Sequence, residues 1–320
     1  MPHFSVIMPL YNKAPYVRKA VESVVGQTCK DWELWVVDDG STDGSGDIVE
    51  AVTDSRIHLL RQENAGVGAA RNNGVAASHG EYLCFLDADD WWEPTFLEEM
   101  AGLIERHPDA GIYGTGYYIV KNGRKRVAPI GVEESFTEGE INYCQVYAKT
   151  LCMPLTSISV CMRRTVFEAA GGFPTDIKLG EDFLLWINIA LKHPVVLKNK
   201  PLSNYNQDVD VAYRGTHHLH DPKEHMLWNL GHLASFEKTN SDYKRLIDNL
   251  RIYALMPYYL SKEYHNEAER ELANVDWSQQ PARSRGLYST PLWMLRIRDF
   301  ARGKGSQVKR IIQNMYITTR

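Results

Sequence analysis

Four short apolar runs in the first ninety residues each end in a polar loop, and each is followed by residues at helical spacing. Phe4-Ser-Val-Ile-Met8 closes at Pro9, and Glu33-Leu-Trp-Val-Val37 closes at Asp38-Asp39-Gly40-Ser41. Residues 57–60 lead to Gly66-Val-Gly68, and residues 82–86 stop at Asp87-Ala88-Asp89-Asp90. Between and after these runs, Val17, Ala20, Val21, Val24 and Val25, then Ile48, Val49 and Val52, then Val67, Ala70, Gly74 and Val75 recur with a helix period. Pro94 opens a fourth helical segment carrying Phe96, Leu97, Met100, Leu103 and Ile104. Such alternation predicts parallel βαβ units with right-handed crossovers. The strands are almost wholly apolar, as strands covered on both faces must be. Open sheets of this kind bind ligands beyond the carboxyl ends of their strands, so the polar residues just after each strand are the first functional candidates.

The alternation breaks after residue 110. Residues 112–120 read as a strand followed by the hairpin signal Asn122-Gly123. Residues 157–162 and 195–197 read as strands and 181–192 as a helix; beyond about 215 the periodicity is helical, with amphipathic segments at 224–236 and 243–259. The expected organisation is an α/β domain over 1–215, divided near residue 110, and a helical region over 216–320. The formal charge of −4 excludes a dedicated nucleic-acid binder. No run of eighteen apolar residues predicts a membrane span, and no basic leader precedes the first strand. Five cysteines without a CxxC pair fit a reduced, cytoplasmic chain with buried thiols.

Asp38, Asp39, Asp87, Asp89 and Asp90 would crowd five carboxylates at one sheet edge. Taken singly, such loops are helix caps. Taken together, they suit a divalent cation and a ribose or base. Asp87-x-Asp89 is a hard-oxygen pair for Mn²⁺ or Mg²⁺, ions that take their remaining ligands from water and diphosphate. Gly66-Val-Gly68-Ala-Ala-Arg71 imitates a dinucleotide fingerprint but has Arg71 in place of the third glycine and follows the third strand, not the first. A glycine-eased approach with Arg71 aimed at the nucleotide is the better reading. Glu181-Asp182 sits at a loop-to-helix junction, either as first-turn acids complementing the helix dipole or as a general base for a hydroxyl nucleophile.

These segments resemble glycosyltransferase family 2. Ser5-Val-Ile-Met-Pro-Leu-Tyr-Asn12, Val37-Asp-Asp-Gly-Ser-Thr-Asp43, Asn64-Ala-Gly66 with Arg71-Asn72, Leu86-Asp-Ala-Asp-Asp90, Gly171-Gly172-Phe173 and Gly180-Glu-Asp182 stand in that family's order, over about residues 4–205. The resemblance implies an α/β, GT-A-type nucleotide-binding sheet, mostly parallel, with a helical C-terminal extension; by it, residues 1–215 are a catalytic domain with a nucleotide-binding half over about 1–110 and an acceptor half over about 111–215. It implies an inverting, metal-dependent transfer from a nucleotide-sugar donor, UDP-sugar first, to a sugar or lipid-linked saccharide acceptor. By the same resemblance, Pro9, Tyr11 and Asp39 line the base pocket and Arg71 contacts the nucleotide. Asp87 lies near ribose and metal, Asp89 binds the metal, and Asp182 is the base, with adjacent Glu181 as its alternative. The QxxRW motif of processive synthases is absent, which favours single addition in cell-surface polysaccharide or glycolipid synthesis. Arg214, His217 and His218 are candidate diphosphate contacts or plain surface residues.

The last stretch is basic. Residues 283–320 hold nine Lys/Arg against Asp299, a local +8, with Leu292, Trp293, Leu295, Ile297 and Phe300 interleaved. Two readings stand: an interfacial helix at the inner face of a membrane, or a solvated basic face packed on the domain. No feature sets an oligomeric state. A nucleotidyltransferase would carry a Gly-rich basic loop after strand one, where this chain has Leu10-Tyr-Asn-Lys13; a catalytically dead nucleotide-sugar or carbohydrate-binding protein would not need both acidic pairs.

Overall fold

The computed structural model describes residues 4–210 and 219–301. It is a mixed α/β chain whose strands are β1 (Phe4–Leu10), β2 (Trp32–Asp38), β3 (Ile57–Arg61), β4 (Tyr82–Phe85), β5 (Trp91–Trp92), β6 (Ile112–Lys121), β7 (Arg124–Val127), β8 (Glu138–Ile141), β9 (Val160–Arg163) and β10 (Val195–Asn206). The helices of this part are α1 (Val17–Val25), α2 (Ser45–Glu50), α3 (Val67–Ala77), α4 (Phe96–Arg106), α5 (Tyr143–Thr150), α6 (Arg164–Ala169) and α7 (Glu181–Ala190). One sheet runs β3-β2-β1-β4-β9-β6-β10-β5, with β7 on β6 and β8 on β10. β3, β2, β1 and β4 are mutually parallel, as are β6 and β10. The short β9 joins these two blocks antiparallel to both β4 and β6.

The parallel block is built as the apolar runs predict. Val6, Ile7, Leu34, Val36, Leu83 and Phe85 are fully buried, and α1 turns Val17, Ala20, Val21 and Val24 onto the sheet. Two polar residues interrupt the apolar strands at their amino ends. The Glu33 carboxylate accepts from the Ser5 hydroxyl (2.7 Å), the Trp35 indole (2.9 Å) and the N–H groups of His79 and Gly80 (2.5 and 3.0 Å). Burial opposes its charge, but these donors win and hold its pKa down at about 2. This cluster pins the end of the sheet remote from the strand-end loops.

Several elements differ from the sequence expectation. Residues 157–159 form a 3₁₀ turn, so the strand there starts at Val160. β10 continues nine residues beyond Leu197 with register shifts around Pro201, a residue that cannot donate to a regular ladder. Residues 224–236 are not one helix. They fold as 3₁₀ turns at Pro222–Glu224, Met226–Trp228 and Gly231–Leu233 before α8 (Ala234–Thr239). There the His225 ring accepts from Leu227 N–H, and the Asn229 amide donates to the carbonyls of Lys223 and His225, so side chains claim the groups a helix would use. The 243–259 segment breaks at Leu255 into α9 (Ser241–Ala254) and α10 (Met256–Leu260), with Pro257 in the first turn of α10. α11 (His265–Leu272), α12 (Ala282–Tyr288) and α13 (Leu292–Ala301) complete the region.

The chain divides into two compact units. One comprises residues 1–128, 132–143 and 154–214; the other comprises 129–131, 144–153 and 215–320. The second therefore takes in residues 144–153 as well as the C-terminal helices. Among the described residues no helix is long and apolar enough to cross a membrane. All five cysteines are free thiols, four of them buried. Tyr213, Arg214, His217, His218 and residues 302–320 lie outside the described residues.

Candidate active site

The loops after β1 and β2 are tied to each other. Asn12, at φ 51°, donates its N–H to Ser41 Oγ (3.0 Å) and accepts from Thr42 N–H through its side chain (2.8 Å). Lys13 N–H donates to Ser45 Oγ (2.8 Å), and Asp38 accepts from Ser41 N–H (2.9 Å). Pro9 is half-buried at the end of β1, Tyr11 is about half exposed beyond it, and Asp39 N–H bonds the Leu10 carbonyl (2.8 Å). Pro9, Tyr11 and Asp39 thus share one strand-end region.

Asp39 is buried and both of its carboxylate oxygens are hydrogen-bonded. It accepts from the Gln62 amide (2.7 Å) and from the N–H groups of Ala65 and Gly66 (2.8 and 2.9 Å), holding the loop that enters α3. Asp39→Ala is therefore expected to lower folding stability by about 1.5–3 kcal/mol, the usual worth of hydrogen bonds to a charged group, besides weakening nucleotide binding. Thermal melts and UDP titration read the two effects separately; an unchanged melt would contradict the loop-holding role.

The two glycines of the Gly66-Val-Gly68 loop serve the chain itself. Gly66 adopts φ 90° at the start of α3, and a Cβ on Gly68 would lie 2.8 Å from the Pro174 carbonyl oxygen. The close neighbour is residue 174. Asn72 completes this joint, donating to the Phe173 carbonyl (2.8 Å) and accepting from Phe173 N–H (3.0 Å). Sequence reasoning noted Asn72 only as part of a motif; its role in docking the 173–182 loop on α3 needed the fold.

That joint places Arg71. Its side chain is almost wholly buried, with Nη2 2.8 Å from Asp87 Oδ1 and Nη1 2.9 Å from Glu181 Oε1. Burial works against the guanidinium charge, but Asp87 and Glu181 outweigh it and hold the group protonated. Arg71 thus joins the end of β4 to the start of α7. Gly180, at φ 87°, turns the chain into α7. Asp182 accepts from Phe183 N–H (2.7 Å), and burial and then the neighbouring Glu181 charge raise its pKa to about 7, against the pull of Arg71.

Leu86 N–H bonds the Ile7 carbonyl (3.0 Å), so Asp87 emerges beside the end of β1. One Asp87 oxygen is held by Arg71; the other has no hydrogen-bond partner among the described residues, and the side chain is one-third exposed. Asp89 pairs with Lys13, its Oδ2 2.5 Å from Lys13 Nζ. Lys13 carried no signal in the sequence, because nothing local links residues 13 and 89. Asp90 points inward and accepts from Asn206 N–H (2.7 Å); burial, then Asp89 and Asp87, push its pKa well up. It anchors β10, and Asp87 and the Lys13-paired Asp89 remain as the other carboxylates of this loop. No group of three metal-ligating side chains converges among the described residues. Two hard oxygen donors, one with an unengaged oxygen, still fit Mn²⁺ or Mg²⁺, ions that complete their shell with phosphate oxygens and water.

The sequence profile described as Glycosyl transferase family 2 matches residues 5–168, half of the chain. The chain belongs to glycosyltransferase family 2. Among characterised and uncharacterised relatives of this family 2 chain, the uncharacterized glycosyltransferase EpsJ of Bacillus subtilis (strain 168) is 32% identical over 187 residues, 57% of this chain and 54% of its own. Glycosyltransferase GlyA of Streptococcus pneumoniae serotype 4 is 46% identical over 111 residues, 34% of this chain and 16% of its own. The chain thus spans about half of EpsJ and far less of GlyA. The structure of S. aureus TarS 1-349 in complex with UDP-GlcNAc superposes with TM-score 0.59 at 20% identity, covering 97% of this chain and 84% of that one. Mannosyltransferase PcManGT from Pyrobaculum calidifontis, in complex with GDP-Man and Mn²⁺, gives 0.56 at 19%, covering 98% and 86%. The α/β sheet of this family 2 chain is accordingly a GT-A fold.

Proposed function

We propose that this family 2 chain transfers a single sugar, with inversion, from a nucleotide-sugar donor to an acceptor hydroxyl. A UDP-sugar is the favoured donor and a sugar or lipid-linked saccharide the acceptor, in cell-surface polysaccharide or glycolipid synthesis. The observation that carries this reading is Arg71, whose two ion pairs join the Asp87 strand end to the Glu181-Asp182 loop. Neighbours crystallised with UDP-GlcNAc and with GDP-Man and Mn²⁺ lend it support.

In this reading Pro9, Tyr11 and Asp39 frame the base, and Asp87 and Asp89 hold Mn²⁺ or Mg²⁺. The ion, when bound, supplies Lewis-acid neutralisation of the leaving diphosphate. Lys13 brings a second positive charge to the same edge. Asp182 takes the proton of the attacking hydroxyl; its pKa near neutrality is that of a base able both to accept and to release a proton at working pH. Arg71 holds Glu181 and Asp87 in place through its two ion pairs.

The test is release of UDP from a UDP-sugar panel with Mn²⁺. Asp89→Ala is expected to remove activity, and chelation by EDTA to do the same; full turnover in excess EDTA would overturn the metal assignment. A nucleotidyltransferase would release pyrophosphate instead, and a dead binding protein would bind UDP without turnover.

We further infer a cytoplasmic chain, peripheral at the inner membrane face. On α13, Leu295 is buried and Arg296 bonds the carbonyls of Leu260 and Ser261 (3.0 and 2.9 Å), while Trp293 and Ile297 stand about 60% exposed beside Arg298. Exposed apolar residues beside cations suit an anionic lipid surface. Trp293→Ser with Ile297→Ser is expected to lower binding to anionic vesicles at low salt; binding equal to wild type would refute the contact.

A further inference from the structure

Lys13 is paired with a carboxylate that the proposed function gives to the metal. Its Nζ lies 2.5 Å from Asp89 Oδ2, and the two side chains are only 16% and 19% exposed. Both ends of this pair are anchored through their backbones. Lys13 N–H donates to Ser45 Oγ, while on either side Asn12 N–H donates to Ser41 Oγ and Ala14 N–H to the Asp43 carboxylate (2.9 Å). Across from it, the Asn206 amide donates to the Asp89 carbonyl (3.1 Å), and Asp90 N–H closes the turn on the Asp87 carbonyl (3.0 Å). Two pinned loops thus meet through one flexible lysine stem.

Lys13 and a divalent ion make rival claims on Asp89. An ammonium and a dication on one carboxylate repel each other, and water screens charges in an enclosed position much less than in an open one. An ammonium displaced from Asp89 is best received by another anion within reach of its stem, since a poorly hydrated charge without a partner is costly. A nucleoside diphosphate at the same strand-end edge is such an anion. The move needs no backbone change. Rotation within the lysine stem displaces Nζ while the Lys13 N–H stays on Ser45.

We propose that Lys13 couples metal binding to donor binding: it holds Asp89 until a nucleoside diphosphate arrives, then passes to the diphosphate and yields Asp89 to the divalent cation. This exchange rests on the glycosyltransferase reading, which supplies the diphosphate. Its consequence is that metal and nucleotide each raise the other's affinity by the same factor. A lysine that merely braced Asp89 would act with the opposite sign. Removing a brace loosens Asp89 and weakens metal binding, whereas removing a competitor strengthens it.

Mn²⁺ titration of the full chain tests it, with the free ion read by electron paramagnetic resonance, with and without UDP. Without UDP, Lys13→Met is expected to bind Mn²⁺ about tenfold more tightly than the wild type, the repulsion of one ammonium having been removed. UDP should then tighten Mn²⁺ binding less in the variant than in the wild type. Lys13→Arg, which keeps the charge, is expected to behave as wild type. Lys13→Gln keeps a hydrogen-bond donor for Asp89 and carries the same test should the methionine variant fold poorly. Adding Asp89→Asn to Lys13→Met is expected to cancel the gain, which locates it at Asp89. Mn²⁺ affinity unchanged or weakened in the neutral Lys13 variants, or a gain that survives Asp89→Asn, would overturn the proposal. UDP titrated into the wild type with Mn²⁺ separates the two levels. UDP binding without a gain in the Lys13 variants sinks the exchange only, whereas absence of UDP binding removes the glycosyltransferase reading beneath it.

Discussion

Asp182→Asn is expected to cut turnover by about 10²–10⁴-fold, the range general-base assistance contributes, with donor affinity little changed. An acceptor hydroxyl is a weak nucleophile at neutral pH, and charge neutralisation at the diphosphate helps only the leaving side. Asparagine keeps the shape of Asp182 and removes its basicity, so the loss belongs in kcat. The pH profile supplies a second readout. A carboxyl raised to about 7 is protonated and inactive as a base below that value and ionised above it, so wild-type turnover should climb as pH rises through about 7. Asp182→Asn should lose that limb of the profile. Steady-state rates of UDP release across pH measure both effects. Near-normal turnover in Asp182→Asn, with a collapse in Glu181→Gln, would move the role one residue back; products with retained anomeric configuration would defeat single displacement.

Arg71→Met should be comparably damaging, for a different reason. The guanidinium is the shared counter-ion of Asp87 and Glu181, and methionine would leave both carboxylates facing a buried apolar chain. Removing one partner of a buried ion pair typically costs about 3–5 kcal/mol. The discount for exposure falls mainly on Asp87, which is one-third exposed, while Glu181 is largely enclosed. Arg71 also lowers the Asp182 pKa, so its loss should move the rising limb of the pH profile to higher pH. A thermal melt and a pH–rate series check the two consequences independently. Lysine at 71 keeps the charge but cannot span two carboxylates with a planar fork, so Arg71→Lys should recover only part of either. A melt and profile unchanged in Arg71→Met would remove the arginine from the site's architecture.

The parallel half of the sheet was legible because its signal is local. β1 to β4 are contiguous apolar runs, and α1, α3 and α4 show their buried face as a simple period. The hairpin signal Asn122-Gly123 announced β7, which pairs antiparallel with β6 across that turn. The short strands β5 and β8 left no such trace; they exist because neighbouring strands offer unpaired edges, a property of the partner and not of the segment. The helix expected over 224–236 failed because His225 and Asn229 bond nearby backbone groups, an alternative that apolar spacing does not register.

The candidate site divides along the same line. The amino-acid sequence by itself determined which carboxylates stand at strand ends, that Asp87 and Asp89 are spaced as a pair, and that Glu181-Asp182 opens a helix. Motif order in one dimension is enough for that, because strand ends in an α/β sheet share an edge. Only the tertiary structure decided which carboxylates are available and which cation each one faces. It turned Asp90 inward to Asn206, committed Asp39 to the loop entering α3, gave Lys13 to Asp89, and set Arg71 between residues sixteen and one hundred and ten positions away. Those outcomes depend on burial and on charges brought within 3 Å by remote segments, and a charge reaches its partner through space without regard to its distance along the chain.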